Sequence, residues 1–167
     1  MEMKSHFFHH LQAVDKKRIM EKTKKIKNIF REGAISAEMI GKSIAAHQSK
    51  TNIGAHEIFL GQVRADQIEG KVVTAIDYSA HEDMANQVMH DIREAAFEKF
   101  DLSCMHIYHS IGKVNTGEIC LFVFVSSAHR LPAREALAFL VEEIKEKSPI
   151  FGKEIFEDES HQWKVNN

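Results

Sequence analysis

The stretch ICLFVFVSSAHRLPAREALAFLVEEIKEKSP, Ile119 to Pro149, carries the two strongest structural signals of the chain in direct succession. Its first nine residues are mostly apolar, which is typical of a strand that is buried on both faces. From Pro132, a residue that suits the first helical position, apolar residues recur at helical spacing. Pro149 disfavours helical geometry at the residue before it, so the helix is expected to end near Lys147. A long buried strand leading into a long helix is therefore the centre of the predicted fold.

Further helices and strands are predicted on both sides of this stretch. Ser36 is expected to cap a short helix, and a second amphipathic helix is expected over residues 81–100. The predicted strands lie at residues 56–63, 72–80 and 102–110, with one more short strand after Pro149. This order predicts an α+β fold with mainly antiparallel pairing rather than a doubly wound parallel sheet.

Two of these segments carry finer predictions. Gly61, within the strand HEIFLGQV, predicts a bulge or a point of close approach. The second helix repeats apolar residues at helical spacing, and this stripe is expected to face the core. The predicted core residues of this helix are Met84, Val88, Ile92, Ala95 and Ala96.

The totals describe one domain with a basic extension. The chain has 167 residues, of which 44% are hydrophobic, and a formal net charge of −2. Residues 15–31 hold eight Lys or Arg and two acidic residues. Residues 1–31 are therefore expected to form a basic N-terminal extension, and residues 32–167 the domain. No apolar run approaches the roughly 20 residues of a membrane span, and a cytoplasmic protein is expected.

Three further patterns give only weak signals. The basic extension could contact nucleic acid or anionic lipid, but it lacks the interleaved aromatic residues of a nucleic-acid surface. The histidines of HFFHH, residues 6–10, have no cysteine or carboxylate close by that would complete a metal site. Cys104 and Cys120 are expected to be small buried residues on strands.

The junction between the buried strand and the long helix is the first candidate for chemistry. His129 and Arg130 lie there, where free backbone N–H groups and positive potential suit a phosphate or carboxylate. The alternative is that His129 caps the helix and Arg130 is solvated. Arg64, which follows Gly61 at a strand end, is a weaker candidate of the same kind.

The lysines around the end of the helix are the second candidate. Lys145 lies four residues after Val141 and so near the apolar face, although cations in a last helical turn also simply complement the helix dipole. Lys153 follows Gly152 in the segment SPIFGKE. A lysine in a partly buried, cation-rich pocket can act as an acid, a base or a nucleophile. Taken alone, these residues predict a small α+β protein with an anion-binding pocket.

Five segments, in order, resemble the large catalytic subunit family of molybdopterin synthase. They are IFLGQVR, IDYSAHEDMA, YHSIGKVNTGE, VSSAHR and EIKEKSPIFGKEIFEDESHQW. The resemblance covers about residues 32 to 165, and the order and spacing of the set make it specific. It implies an α/β-hammerhead with an additional antiparallel subdomain.

The resemblance also implies an activity and its partners. The family transfers sulfur to cyclic pyranopterin monophosphate, which produces molybdopterin for the molybdenum cofactor. The sulfur arrives as a thiocarboxylate on the C-terminal Gly-Gly of a small ubiquitin-like subunit. Two large subunits form a central dimer with a small subunit at each end, as a heterotetramer. No metal and no further cofactor is implied.

The family's site residues transfer one at a time to this sequence. Lys145 matches a catalytic lysine, and Lys153 is the candidate for a second one. Phe59 and Met84 match apolar residues that line the pocket. The substrate-binding set implied by the resemblance is Gln62, Val63, Arg64, His129, Arg130, Lys145, Gly152, Lys153 and Glu154.

One position departs from the family pattern, in which a lysine follows the aromatic residue directly. Here Gly152 follows Phe151, and Lys153 comes one position later. Two interpretations stay open from the sequence. In the first, Gly152 gives the backbone the freedom to let Lys153 reach the substrate. In the second, turnover is impaired and the chain is a binding module for a ubiquitin-like sulfur carrier.

Overall fold

The computed structural model describes residues 26–165, which form eight strands and three helices. The helices are α1 Ala37–Ala45, α2 Glu82–Lys99 and α3 Arg130–Lys147. The strands are β1 Phe30–Glu32, β2 Ala55–Gln62, β3 Gln67–Ile68, β4 Lys71–Ala80, β5 Cys104–Asn115, β6 Ile119–Ser127, β7 Ile150–Phe156 and β8 His161–Trp163. No helix in residues 26–165 is both long enough and apolar enough to cross a membrane.

The strands form one open sheet in the order β2-β6-β5-β4-β7-β8, with β1 beside β5 and β3 beside β4. All these pairs are antiparallel except β1–β5. The long strand β5 pairs with β6 in its first half and with β4 in its second half. Gly112, between the two halves, has a φ of +78°, and a Cβ there would lie 2.5 Å from Glu32 Oε1. The predicted α+β fold with mainly antiparallel pairing is confirmed.

The core lies on the face of the sheet that α2 and α3 cover. The strand β6 is buried along almost its whole length, as its apolar run predicts. The side of α2 that packs on the sheet presents Ala85, Met89, Ile92 and Ala96. On the opposite face, α1 covers a smaller cluster around Phe122 and Phe124.

Several local predictions are confirmed. The Ser36 hydroxyl caps α1 by accepting a hydrogen bond from the Met39 backbone N–H at 3.2 Å. The register of β2 against β6 shifts between Gly61 and Gln62, which is the bulge expected at this glycine. The long helix ends at Lys147, two residues before Pro149.

Other predictions need correction. Met84 is 59% exposed in the first turn of α2, because the buried stripe runs one position later, through Ala85 and Met89. The helix α3 begins at Arg130, so Pro132 is its third residue rather than its first. The expected domain boundary after residue 31 falls inside β1, and Ile29 is only 2% exposed in the core. The rest of the predicted basic extension, residues 1–25 with the histidines of HFFHH, lies outside the described residues.

Candidate active site

A cavity of about 530 Å³ opens where the end of β2, the middle of β4 and β7, and the last turn of α3 meet. The chain reaches this place because β7 returns antiparallel to β4 directly after α3 ends. The predicted site residues that line the cavity are Phe59, Gln62, Val63, Arg64, Lys145, Gly152 and Glu154. The fold thus brings together predicted site residues that are up to 95 positions apart in the sequence, from Phe59 to Glu154.

The floor of the cavity consists of titratable groups that are neutral at pH 7. Burial raises the pKa of the Tyr78 hydroxyl and of the Cys120 thiol, and it lowers the pKa of His109. Lys145 adds to the shift of His109 because a positive neighbour disfavours the imidazolium. The Cys120 thiol donates to the Gly61 carbonyl at 3.3 Å. Sequence reasoning missed these three residues, since they come from three different strands.

The charges of the cavity lie around this neutral floor. The lining contains the cationic residues Arg64, Lys145 and Lys164 and the acidic residues Asp66 and Glu154. Arg64 Nη2 donates to Asp66 Oδ2 at 3.1 Å, and the arginine side chain is 76% exposed. Such an exposed pair is weak, so the guanidinium is free to turn toward an anion.

Lys145 lies in the last turn of α3, beside the cavity. Within residues 26–165 its ammonium group forms no ion pair and no hydrogen bond. The two other cationic side chains of the lining are each paired with a carboxylate, Arg64 weakly and Lys164 at a buried one, so Lys145 supplies the net positive charge of the cavity. A small anion is therefore the ligand that the electrostatics of this cavity favour.

Lys153 does not line this cavity, contrary to the expectation that it faces the substrate. The segment after Pro149 is a strand, and side chains alternate between the two faces of a strand. Gly152 and Glu154 face the cavity, and Lys153 between them faces the other side. There its ammonium group lies 3.5 Å from the Asp77 carboxylate, directly across from it on β4.

Lys164, which sequence reasoning missed, lies beside Gly152 instead. Its backbone N–H donates to the Gly152 carbonyl at 2.8 Å. A Cβ added to Gly152 would lie 3.7 Å from Lys164 Cβ and 3.0 Å from Ile76 Cγ2. A side chain at position 152 would therefore be crowded by Ile76, and the Lys164 side chain lies next to this position. The segment after β8 carried no sequence signal for this, because its place depends on the β7–β8 pairing.

The Lys164 ammonium group is held by a buried carboxylate. Its Nζ donates to Glu154 Oε1 at 3.1 Å, and Gln162 Nε2 donates to Glu154 Oε2 at 2.9 Å. The Glu154 side chain is only 4% exposed, whereas that of Lys164 is 32% exposed. The pair thus fixes the amine at the mouth of the cavity and leaves part of it accessible.

The remaining predicted site residues lie elsewhere. His129 and Arg130 stand at the start of α3, and fifteen residues of helix put Arg130 about 22 Å from Lys145. His129 occupies the N-cap position of α3 without a side-chain cap hydrogen bond, and Arg130 is exposed to solvent, as the alternative interpretation expects. Met84 is not among the residues that line the cavity.

Fold and cavity together define an α+β protein with a cavity between the sheet and the end of a helix, whose net positive lining suits a small anion. The MoaE protein family matches residues 32–147, which is well over half of the chain. The chain belongs to this family.

Individual relatives agree with this assignment. The chain is 39% identical over 115 residues to the molybdopterin synthase catalytic subunit of Drosophila willistoni, and 36% identical over 115 residues to that of Pyrococcus abyssi. These matches cover 68% and 69% of this chain, but 31% and 76% of the respective relatives. The chain thus spans less than a third of the Drosophila relative's length.

A solved structure supports the fold assignment. Molybdopterin synthase from Staphylococcus aureus superposes with a TM-score of 0.70 at 29% identity. The superposition covers 83% of this chain and 98% of the other. The expected fold class is thereby confirmed.

Proposed function

We propose that this chain is the catalytic subunit of a molybdopterin synthase. It transfers sulfur from the C-terminal thiocarboxylate of a small ubiquitin-like subunit to cyclic pyranopterin monophosphate, in the cytoplasm. The observation that carries the proposal is the cationic cavity around Lys145 in a chain of the MoaE family. Both cysteines of the chain are free thiols, which suits a reducing compartment.

The charges of the cavity fit both reactants. The pterin substrate carries a phosphate and the sulfur donor carries a thiocarboxylate, so two anions must approach each other. Arg64 offers a fork of N–H donors for the phosphate. Lys145, which has no carboxylate partner within residues 26–165, offsets the charge of the thiocarboxylate and of the oxyanion that forms when water attacks its acyl carbon. The carbon–sulfur bond then breaks, the sulfur stays on the pterin, and the small subunit is left with a carboxylate.

Sulfur addition also requires proton transfer close to the reacting carbons, and the cavity presents two amines that are suited to it. Lys145 stands on the helix side, and Lys164 stands on the sheet side beside Gly152. The geometry favours Lys164 over Lys153 for the second role, since Lys153 is paired with Asp77 on the opposite face. General acid–base catalysis by a positioned side chain contributes about 10²- to 10⁴-fold to rates.

His129 and Arg130 lie at the opposite end of α3 from the cavity, which favours an assembly in which a second copy of the chain takes part. His129 and Arg130 cannot reach the cavity of their own chain across about 22 Å of helix. In the homodimer that the family resemblance implies, the pair is available to the cavity of the other copy. A mixed dimer tests this arrangement by complementation. One subunit carries a replacement of Arg130 and the other a replacement of Lys145, so one cavity of the dimer keeps both residues only if Arg130 acts on the cavity of the other copy.

The function is tested by reconstitution. The full chain is incubated with thiocarboxylated small subunit and cyclic pyranopterin monophosphate, and molybdopterin is measured. Formation of molybdopterin with a Lys145-dependent rate supports the proposal. If the two subunits bind each other but no molybdopterin forms, the chain is the carrier-binding module that the sequence left open.

A further inference from the structure

Three side chains of types that commonly bind metals meet beneath α1, on the face of the sheet opposite to α2 and α3. The His47–Cys104–His106 cluster joins the turn after α1 to the first residues of β5. Cys104 and His106 are two positions apart on one strand, so their side chains share a face. The third member, His47, is 57 positions before Cys104 and is brought to it only by the fold.

The distances within the cluster are those of ligands around one small ion. His47 Nε2 lies 3.0 Å from Cys104 Sγ and 3.2 Å from His106 Nε2. Cys104 Sγ lies 3.4 Å from His106 Nε2. Tetrahedral Zn²⁺ with bonds of about 2.0 Å to nitrogen and about 2.3 Å to sulfur separates its ligands by about 3.3–3.6 Å. Small outward shifts of the three side chains are enough to admit the ion.

The orientation of His47 is already fixed for ligation. Its Nδ1 donates to the Ser43 carbonyl at 2.6 Å, which assigns the ring proton to Nδ1 and leaves the Nε2 lone pair directed into the cluster. A histidine ligand is commonly held in this way by a backbone carbonyl that bonds its other nitrogen. The ring is 4% exposed and packs against Phe124, so it cannot turn away easily.

The cluster is also accessible from solvent. Cys104 and His106 are only partly buried, and a surface cleft lined by His47 and His106 leads to it. The exposed side chain of Lys50 lies 3.8 Å from Cys104 Sγ and has to swing aside when an ion binds.

We propose that the His47–Cys104–His106 cluster binds one zinc ion, or a transition metal of similar preference, with a water molecule at the fourth position. Two imidazole nitrogens and one thiolate are a donor set that selects zinc over magnesium or calcium. Binding releases the thiol proton of Cys104 and ties the end of α1 to β5. The site is separate from the sulfur-transfer cavity, which shares none of its three residues.

Cobalt(II) titration of the full chain tests the site, because tetrahedral cobalt with a thiolate ligand absorbs characteristically. The parent protein for this experiment carries His6, His9 and His10 changed to Gln, which removes the N-terminal histidines as a competing site. Cys120→Ser is the matched control, since it removes the only other thiol. Cys104→Ser and His47→Gln are the test variants, with folding checked by circular dichroism.

The expected result is one equivalent of cobalt with a thiolate charge-transfer band that zinc abolishes. The band persists in Cys120→Ser and is lost in Cys104→Ser and His47→Gln. Zinc also raises the unfolding temperature of the parent but not that of Cys104→Ser. A band that survives Cys104→Ser, or its absence from the folded parent, overturns the proposal. If His47→Gln does not fold, the near-isosteric Cys104→Ser decides the question alone.

Discussion

Changing Lys164 to Met is the most informative perturbation of the candidate active site. The change leaves the 4%-exposed Glu154 carboxylate with Gln162 as its remaining side-chain donor. Removing one partner of a fully buried ion pair costs about 3–5 kcal/mol. Because Lys164 is a third exposed and Gln162 still donates, we expect about 2–3 kcal/mol here. For a chain of this size, that lowers the unfolding temperature by about 5–10 °C.

The double variant Lys164→Met with Glu154→Gln separates stability from chemistry. Neutralising Glu154 removes the unpaired buried charge, so we expect most of the lost stability to return. Sulfur transfer should stay at least about 10²-fold below the unmodified chain, because the amine is still absent. Glu154→Gln alone completes the cycle, and Lys153→Met is the matched lysine control on the opposite face of β7.

The two readouts are thermal unfolding and single-turnover molybdopterin formation with thiocarboxylated small subunit. If the double variant recovers both stability and rate, Lys164 is only the counter-ion of Glu154. If Lys153→Met loses as much rate as Lys164→Met without losing stability, the lysine on the opposite face acts in the reaction. In either case the assignment of Lys164 fails.

Three further changes test other parts of the structure. Lys145→Ala should reduce sulfur transfer by at least about 10²-fold. The unfolding temperature should not change, because the Lys145 ammonium group forms no ion pair within residues 26–165. A folded, fully active variant would contradict the role of Lys145. Burial lowers the pKa of His109 in the folded chain, so the unfolded chain binds more protons and stability falls as pH drops below about 6.5. The urea midpoint of His109→Asn should therefore fall less than that of the unmodified chain between about pH 7.5 and about pH 5. If it falls by the same amount, groups other than His109 cause the pH dependence. Gly54→Ala should lower the free energy of unfolding by about 1–3 kcal/mol in a urea titration, because the new Cβ would lie 2.4 Å from the Ala128 carbonyl oxygen. An unchanged urea midpoint would show that the backbone shifts to accommodate the Cβ.

The elements that sequence reasoning recovered are those whose signals are local. The cap at Ser36, the bulge at Gly61 and the apolar run of β6 each depend on a few neighbouring residues. The strands that it missed, β1, β3 and β8, are two or three residues long, and each depends on pairing with another strand. Too few residues lie in each for any periodicity to show.

The same limit applies to the candidate site. Lys145 and Arg64 could be found because each ends an element that the sequence already predicts. Tyr78, His109 and Cys120 could not, since only the pairing of β4, β5 and β6 brings them to one floor. The His47–Cys104–His106 cluster was missed for a related reason, because its ligands lie on two elements 57 positions apart.

The segment SPIFGKE shows how a one-residue displacement acts in a strand. In a flexible loop, the backbone could turn so that Lys153 reaches the place of a lysine at position 152. In a strand the displacement reverses the face, so Lys153 meets Asp77 and leaves the cavity. Gly152 contributes no side chain, and Lys164 lies beside it from the neighbouring segment. Besides Lys145, the amine that lines the cavity within residues 26–165 is therefore Lys164, and Glu154 holds it in place.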